Sequence, residues 1–161
     1  MSEATSYEAR TIETEPFQQV AKLFGGSRVL HRRLNSQLDA HDLLLDGLPA
    51  AALSYFVENL VMLKGAGSLE KAIGMSIRTL QRHRDAPEKP LSQEHSGRTW
   101  KFAEILAKAS TLFGSQEEAE QWLVRPAMGL DQRCPIDLLT TPSGVKLVED
   151  FLVRLEYGVY A

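Results

Sequence analysis

The residues of this chain able to do chemistry are four histidines, one cysteine and a group of crowded carboxylates, and their spacing argues against catalysis. His31, His41, His83 and His95 form no local metal-ligand pair, because no two lie three to five residues apart. Cys134 is the sole cysteine, which excludes an internal disulfide and a cysteine-based zinc site. As a nucleophile it would need a histidine and an acid, and neither has a local signature. A small buried or half-buried side chain is the plainer reading. Glu117, Glu118 and Glu120 crowd one stretch, where acids at a helix N-terminus complement the helix dipole. There is no HExxH, no GxGxxG and no phosphate-binding GxxxxGK motif. Gly65 and Gly67 follow no strand and read as a loop before a helix. The expectation is a protein that is not an enzyme and uses no cofactor or metal.

Binding chemistry remains. Ser76, Arg78, Thr79, Gln81, Arg82 and Arg84 fall within nine residues. Arginine can pair twice with guanine and glutamine with adenine, and serine and threonine suit phosphates. On a short helix whose other face holds Ile77 and Leu80, Ser76, Arg78, Thr79, Gln81 and Arg82 would face outward, with Arg84 at the end, as a DNA-reading helix requires. The charge distribution agrees. The net charge of −3 divides into −3 for residues 1–63, +4 for 64–101 and −4 for 102–161. Only the middle of the chain is suited to a polyanion. An ordinary solvated surface helix is the other reading.

The elements that must position these residues all read as helices. Residues 1–16 are polar and aperiodic, the expected pattern of a poorly ordered tail. Phe17 to Phe24 forms a short helix stopped by Gly25-Gly26. Ser27 then caps a helix whose stripe is Leu30, Leu34, Leu38, His41 and Leu45. Gly47 ends it, and Pro49 starts another helix carrying Leu53, Phe56, Val57 and Leu60. Gly67 to His83 reads as two short helices. Ser68 caps the first, which buries Leu69, Ala72 and Ile73; Gly74 marks the turn; Ser76 caps the second. Pro87 and Pro90 close the unit.

Ser92 to Phe113 is the longest helix, with Trp100, Phe102, Ile105, Leu106, Ala109 and Leu112, and Gly114 ends it. Ser115 and Glu118 form a capping box for a helix carrying Ala119, Trp122 and Leu123. Pro135 opens a short helix to Leu139, and Ser143 caps the last, from Gly144 to about Tyr157. Trp100, Phe102, Ile105, Trp122 and Leu123 are expected to share one core. No segment alternates with period two, so the fold class is all-α: a helix-turn-helix region followed by a small C-terminal helical module. The domains read as a tail, 1–16, an N-terminal helical region, 17–90, and a C-terminal module, 91–161.

The last helix is too apolar for one buried stripe. Val145, Val148, Leu152 and Leu155 complete such a stripe, and Leu147, Phe151 and Val153 exceed it. The tail Tyr157-Gly-Val-Tyr-Ala161 is aromatic and uncharged in its side chains. Such a surface suits a partner protein; a tail folded on its own core is the alternative. No run approaches the roughly 18 apolar residues of a membrane span. The acidic start is no signal peptide, so a cytoplasmic protein with no membrane partner is expected.

These residues carry a resemblance. From about Leu43 to Ala161 the chain resembles the Xre/MbcA/ParS antitoxins, partners of RES-domain toxins. The match is densest at Ala119, Trp122-Leu123, Pro126, Pro135-Ile-Asp-Leu-Leu139, Thr141-Pro-Ser-Gly144, Val148, Leu152 and Glu156-Tyr-Gly158. Ile77 to Arg82 looks like the second helix of the family's helix-turn-helix. One departure is Glu70, where such DNA readers usually have a small residue, and toxin binding is therefore better supported than DNA binding.

The resemblance implies an antitoxin that binds and silences a cognate NAD-degrading RES-domain toxin through its C-terminal module, and the apolar excess of the last helix and tail adds the expectation that they cover the toxin's active site. The resemblance also implies binding to the promoter DNA of its own operon as a homodimer within a hetero-oligomeric complex. The toxin-binding residues would be Leu147, Phe151, Val153, Arg154, Tyr157, Val159, Tyr160 and Ala161. The rival reading is a stand-alone helix-turn-helix transcriptional regulator whose C-terminal module only dimerises.

Overall fold

The computed structural model describes residues 16–158. The polar start of the chain up to residue 15, and Val159, Tyr160 and Ala161, lie outside the described residues. The fold is all-α. Among the described residues ten α-helices run in order: α1 Pro16–Leu23, α2 Ser27–Leu30, α3 Gln37–Asp46, α4 Ala50–Glu58, α5 Ala66–Ile73, α6 Ile77–Arg84, α7 Gln93–Phe113, α8 Gln116–Leu123, α9 Pro135–Leu138 and α10 Pro142–Glu156. A 3-10 turn, Met128–Leu130, separates α8 from α9.

The long α7 is the spine, and α1, α3, α5, α8 and α10 all pack on it. Trp100 stacks on Phe24 at 5.6 Å between ring centroids, Phe24 meets Phe56 at 5.1 Å, and Phe56 meets Phe102 edge-on at 5.8 Å. This aromatic chain ties the turn after α1 to α4 and α7 in one core. Trp100, Phe102, Ile105 and Leu123 are buried as expected, while Trp122 is half-buried against that core.

Local signals set many boundaries. The hydroxyls of Ser36, Ser76, Ser92 and Ser115 each accept the backbone N–H three residues on, so each caps a helix. Gly74 and Gly114 close α5 and α7 in the left-handed region.

Other expectations need correction. The helix expected to follow Ser27 is two helices, because His31 turns left-handed at φ 58° and Ser36 starts a new one. The stripe is therefore broken: Leu38 is 68% exposed and Leu45 also faces outward, while Ala40 and Leu43 are buried. Ser68 lies inside α5, which starts at Ala66. Ser143 is not a cap; Thr141 Oγ1 accepts from Gly144 N at 3.0 Å, and Pro142 takes the first turn. Gly144 is needed for a different reason: a side chain there would collide with the Leu138 carbonyl of α9. Ile77, expected to face inward, is 51% exposed, and Leu80 alone of that pair is partly buried.

Candidate binding surfaces

The second of the two short helices joined at Gly74, α6, has no fully buried residue. Arg78, Gln81, Arg82 and Arg84 are exposed, and among the described residues none of the three arginines is in an ion pair with a carboxylate. Ser76 and Thr79 serve the helix start. Ser76 Oγ accepts from Thr79 N at 3.2 Å and lies 3.1 Å from Thr79 Oγ1. The inner side of α6 rests on α4. Met75, in the turn, is fully buried and acts as the plug that the sequence reading missed.

His83, on the same helix, is half-buried, and its ring meets that of His95 on α7 edge-on at 6.4 Å between centroids. Its Nε2 is buried without a hydrogen-bond partner. Burial, then His95, then Arg82 hold the His83 imidazole below its ordinary pKa of 6.5.

Three attachments fix the pair to the rest of the chain. Arg98 of α7 lies against Gly74 and donates from Nη2 to the Lys71 carbonyl at 3.1 Å, satisfying a free C=O at the end of α5. Gly74, at φ 72°, leaves room for that guanidinium. Lys71 Nζ meets Asp137 Oδ1 of α9 at 2.6 Å, and the hydrogen bond with Asp137 raises the Lys71 pKa above its ordinary value.

The third attachment is Glu120. Expected as one of the crowded acids that complement the N-terminus of α8, it is fully buried. Its carboxylate accepts N–H bonds from Val61, Met62 and Leu63 at 2.9–3.1 Å, and Gln116 Nε2 donates to it at 3.0 Å. Glu70, the family departure, is exposed and crowds nothing inside the pair.

On α10, Val148 and Leu152 are buried, Val145 and Leu155 are partly buried, and Leu147 is 53% exposed. Phe151 is half-buried. Its ring stacks on Trp122 at 5.9 Å and 5°, its edge rests on Gly129, and the Arg154 guanidinium stands 6.0 Å from its centroid. Met128, next to Gly129, is 85% exposed, a candidate contact that the sequence reading missed.

Val153 is exposed on another flank of α10, where Glu149, Leu152 and Glu156 line a groove of about 560 Å³ against α1 and α7. Leu147, Phe151 and Val153 therefore do not form one surface. Lys101–Glu149 at 3.6 Å and Lys108–Glu156 at 2.9 Å bridge α7 to α10 along that groove. Burial there raises the Glu104 pKa above its ordinary 4.5. Tyr157 is exposed after the last turn; Val159, Tyr160 and Ala161 lie outside the described residues. Cys134 is half-buried, with Sγ 3.5 Å from the Val124 carbonyl. Among the described residues no cluster of metal-ligating side chains occurs, and no helix is long and apolar enough to cross a membrane.

The geometry defines an all-α protein in which α8 and α10 pack on the long α7. Residues 108–158 match the antitoxin Xre/MbcA/ParS C-terminal toxin-binding domain. The chain is 30% identical over 125 residues to an antitoxin Xre of Pseudomonas putida, covering 78% of this chain and 76% of that protein. It is also 35% identical over 92 residues to an antitoxin Xre of Yersinia enterocolitica, and 31% identical over 96 residues to one of Photorhabdus laumondii. These matches cover 56% and 59% of this chain, and 62% and 64% of those relatives. The chain belongs to the Xre antitoxin family.

Proposed function

We propose that this chain neutralises a RES-domain toxin that degrades NAD, and that it does so by covering the toxin's active site with α10 and the tail Tyr157–Ala161. The observation that carries the reading is the exposure of Leu147 and Met128 beside the half-buried Phe151, within the residues that match the toxin-binding domain. Apolar side chains held on a rigid support lose little entropy on docking, so their burial contributes directly to affinity. Tyr157 supplies a large contact with few rotamers to freeze. Inhibition is then stoichiometric and steric, with no catalysis by this chain, and the complex is cytoplasmic.

The second part of the reading is autoregulation. Three exposed arginines and Gln81 on α6, with no carboxylate paired to the arginines among the described residues, support promoter binding, with two copies reading half-sites about one helical turn apart. The alternative, a stand-alone regulator, would use the exposed apolar residues of the C-terminal domain to pair two copies of the chain.

Co-expression with the product of the adjacent reading frame tests the proposal. The two should co-purify, and the toxin alone should deplete cellular NAD while the pair does not. A neighbouring product that neither binds this chain nor lowers NAD would overturn it.

A further inference from the structure

The loop between α4 and α5 ends α4 at Glu58 and starts α5 at Ala66, and it sets where the helix-turn-helix pair begins. Leu60 and Leu63 bury their side chains, while Val61 and Met62 point theirs outward. Three successive N–H groups, of Val61, Met62 and Leu63, would be left without partners by the turn. All three are satisfied by one carboxylate, that of Glu120, 57–59 residues further on. Gln116 closes the arrangement, since its Nε2 donates both to Glu120 Oε2 and to the Asn59 carbonyl, each at 3.0 Å.

We propose that Glu120 is a positioning residue for DNA reading: the C-terminal domain holds the 61–63 loop through this carboxylate and thereby fixes the pose of α5 and α6. The proposal rests on the reading of α6 as a promoter-binding helix. A buried charge is costly unless fully hydrogen-bonded, and a leucine or methionine would fill the volume more simply. What the carboxylate adds is direction, because it can accept several convergent N–H bonds at once. The loop is so fixed three residues before α5 begins. The far end of α5 is fixed separately by the Lys71–Asp137 and Arg98–Lys71 bonds. Both Glu120 and Asp137 lie inside the matched 108–158 domain, so that domain grips the helix-turn-helix at both ends of its first helix.

The test uses the full chain carrying Glu120→Gln, with Glu117→Gln, an exposed acid of the same helix, as the charge control. Simple electrostatics predicts that losing one negative charge leaves promoter affinity unchanged or improved. The positioning role predicts the opposite for Glu120→Gln alone: affinity weaker by roughly two- to thirtyfold well below the melting temperature. Amide hydrogen exchange should speed up at Val61–Leu63 and through α5 and α6, while α10 keeps its protection.

If Glu120→Gln does not fold, Gln116→Ala keeps the carboxylate, removes one support, and should show the same pattern more weakly. Unchanged promoter affinity in a folded Glu120→Gln chain, or faster exchange confined to residues 61–63, would overturn the proposal. If the parent chain binds no promoter, the DNA reading fails. The exchange pattern in α5 and α6 then still decides whether Glu120 sets their pose.

Discussion

The ring of Phe151 lies parallel to the indole of Trp122, with centroids 5.9 Å apart, and joins the last helix to α8. Trp122 also meets Phe113 at 5.2 Å with the rings tilted by 37°, so the aromatic contact continues to the end of α7. Phe151 is therefore held by its neighbours, whereas Leu147, one turn earlier on α10, is exposed.

The two residues should separate by experiment. Phe151→Ala loses the stack and about 2–3 kcal/mol of stability, somewhat less than a fully buried phenylalanine. Leu147→Asp should leave the melting temperature nearly unchanged while weakening toxin binding at least tenfold, since it sets a charge in the contact without disturbing the core. Paired melting and binding titrations check both.

Arg82→Ala should weaken promoter binding by about 1–3 kcal/mol if the guanidinium reads a base, and relax the preference at that base pair. If it only meets phosphate, the loss should be uniform across sequences, with a shallower salt slope. A gel-shift series over promoter variants and salt distinguishes the two outcomes.

Acid should loosen α6. The His83 pKa is lowered in the folded chain, so the unfolded chain binds the extra proton first as pH falls below 6.5. The contribution of neutral His83 is present above that value and is lost as pH falls through it toward the folded pKa. His83→Gln should flatten this part of the stability profile, as measured by denaturant unfolding between pH 7.5 and roughly 5.

Gly144→Ala should destabilise the chain by about 1–3 kcal/mol or more, because the new methyl meets the Leu138 backbone carbonyl and α10 must shift to avoid it. The motif Thr141-Pro-Ser-Gly144, specific as a family mark, is thus a capping and close-packing device. Thermal melting of the single variant measures its cost.

The legible parts of the fold are those set by near neighbours. Ser76, Ser92 and Ser115 act within three residues, and Gly74 acts at its own φ, so α6, α7 and α8 could be placed from the sequence. The Leu30–Leu45 stripe misled because a helical period does not reveal a left-handed residue such as His31, which turns the chain and brings Leu38 and Leu45 to the surface. Ile77 stays exposed because Thr79, Leu80 and His83 form the half-buried side of α6 and Ile77 lies at its edge. Glu120 was unreadable for another reason. Its partners are backbone groups 57–59 residues away, so nothing in its neighbourhood separates it from the exposed Glu117 and Glu118. Likewise, the apolar excess of α10 was visible, but its division between the Phe151 flank and the Val153 groove depends on packing against the 3-10 turn, α1 and α7.

The most direct test of the central claim is cellular NAD in cells that express the toxin together with either the full chain or a chain lacking Tyr157–Ala161. The shortened chain should fold, because Tyr157 is exposed and α10 ends at Glu156. The account predicts that the full chain preserves NAD and that the shortened chain, though soluble and still bound to the toxin, lets NAD fall. Equal protection by both chains would contradict active-site occlusion by the tail.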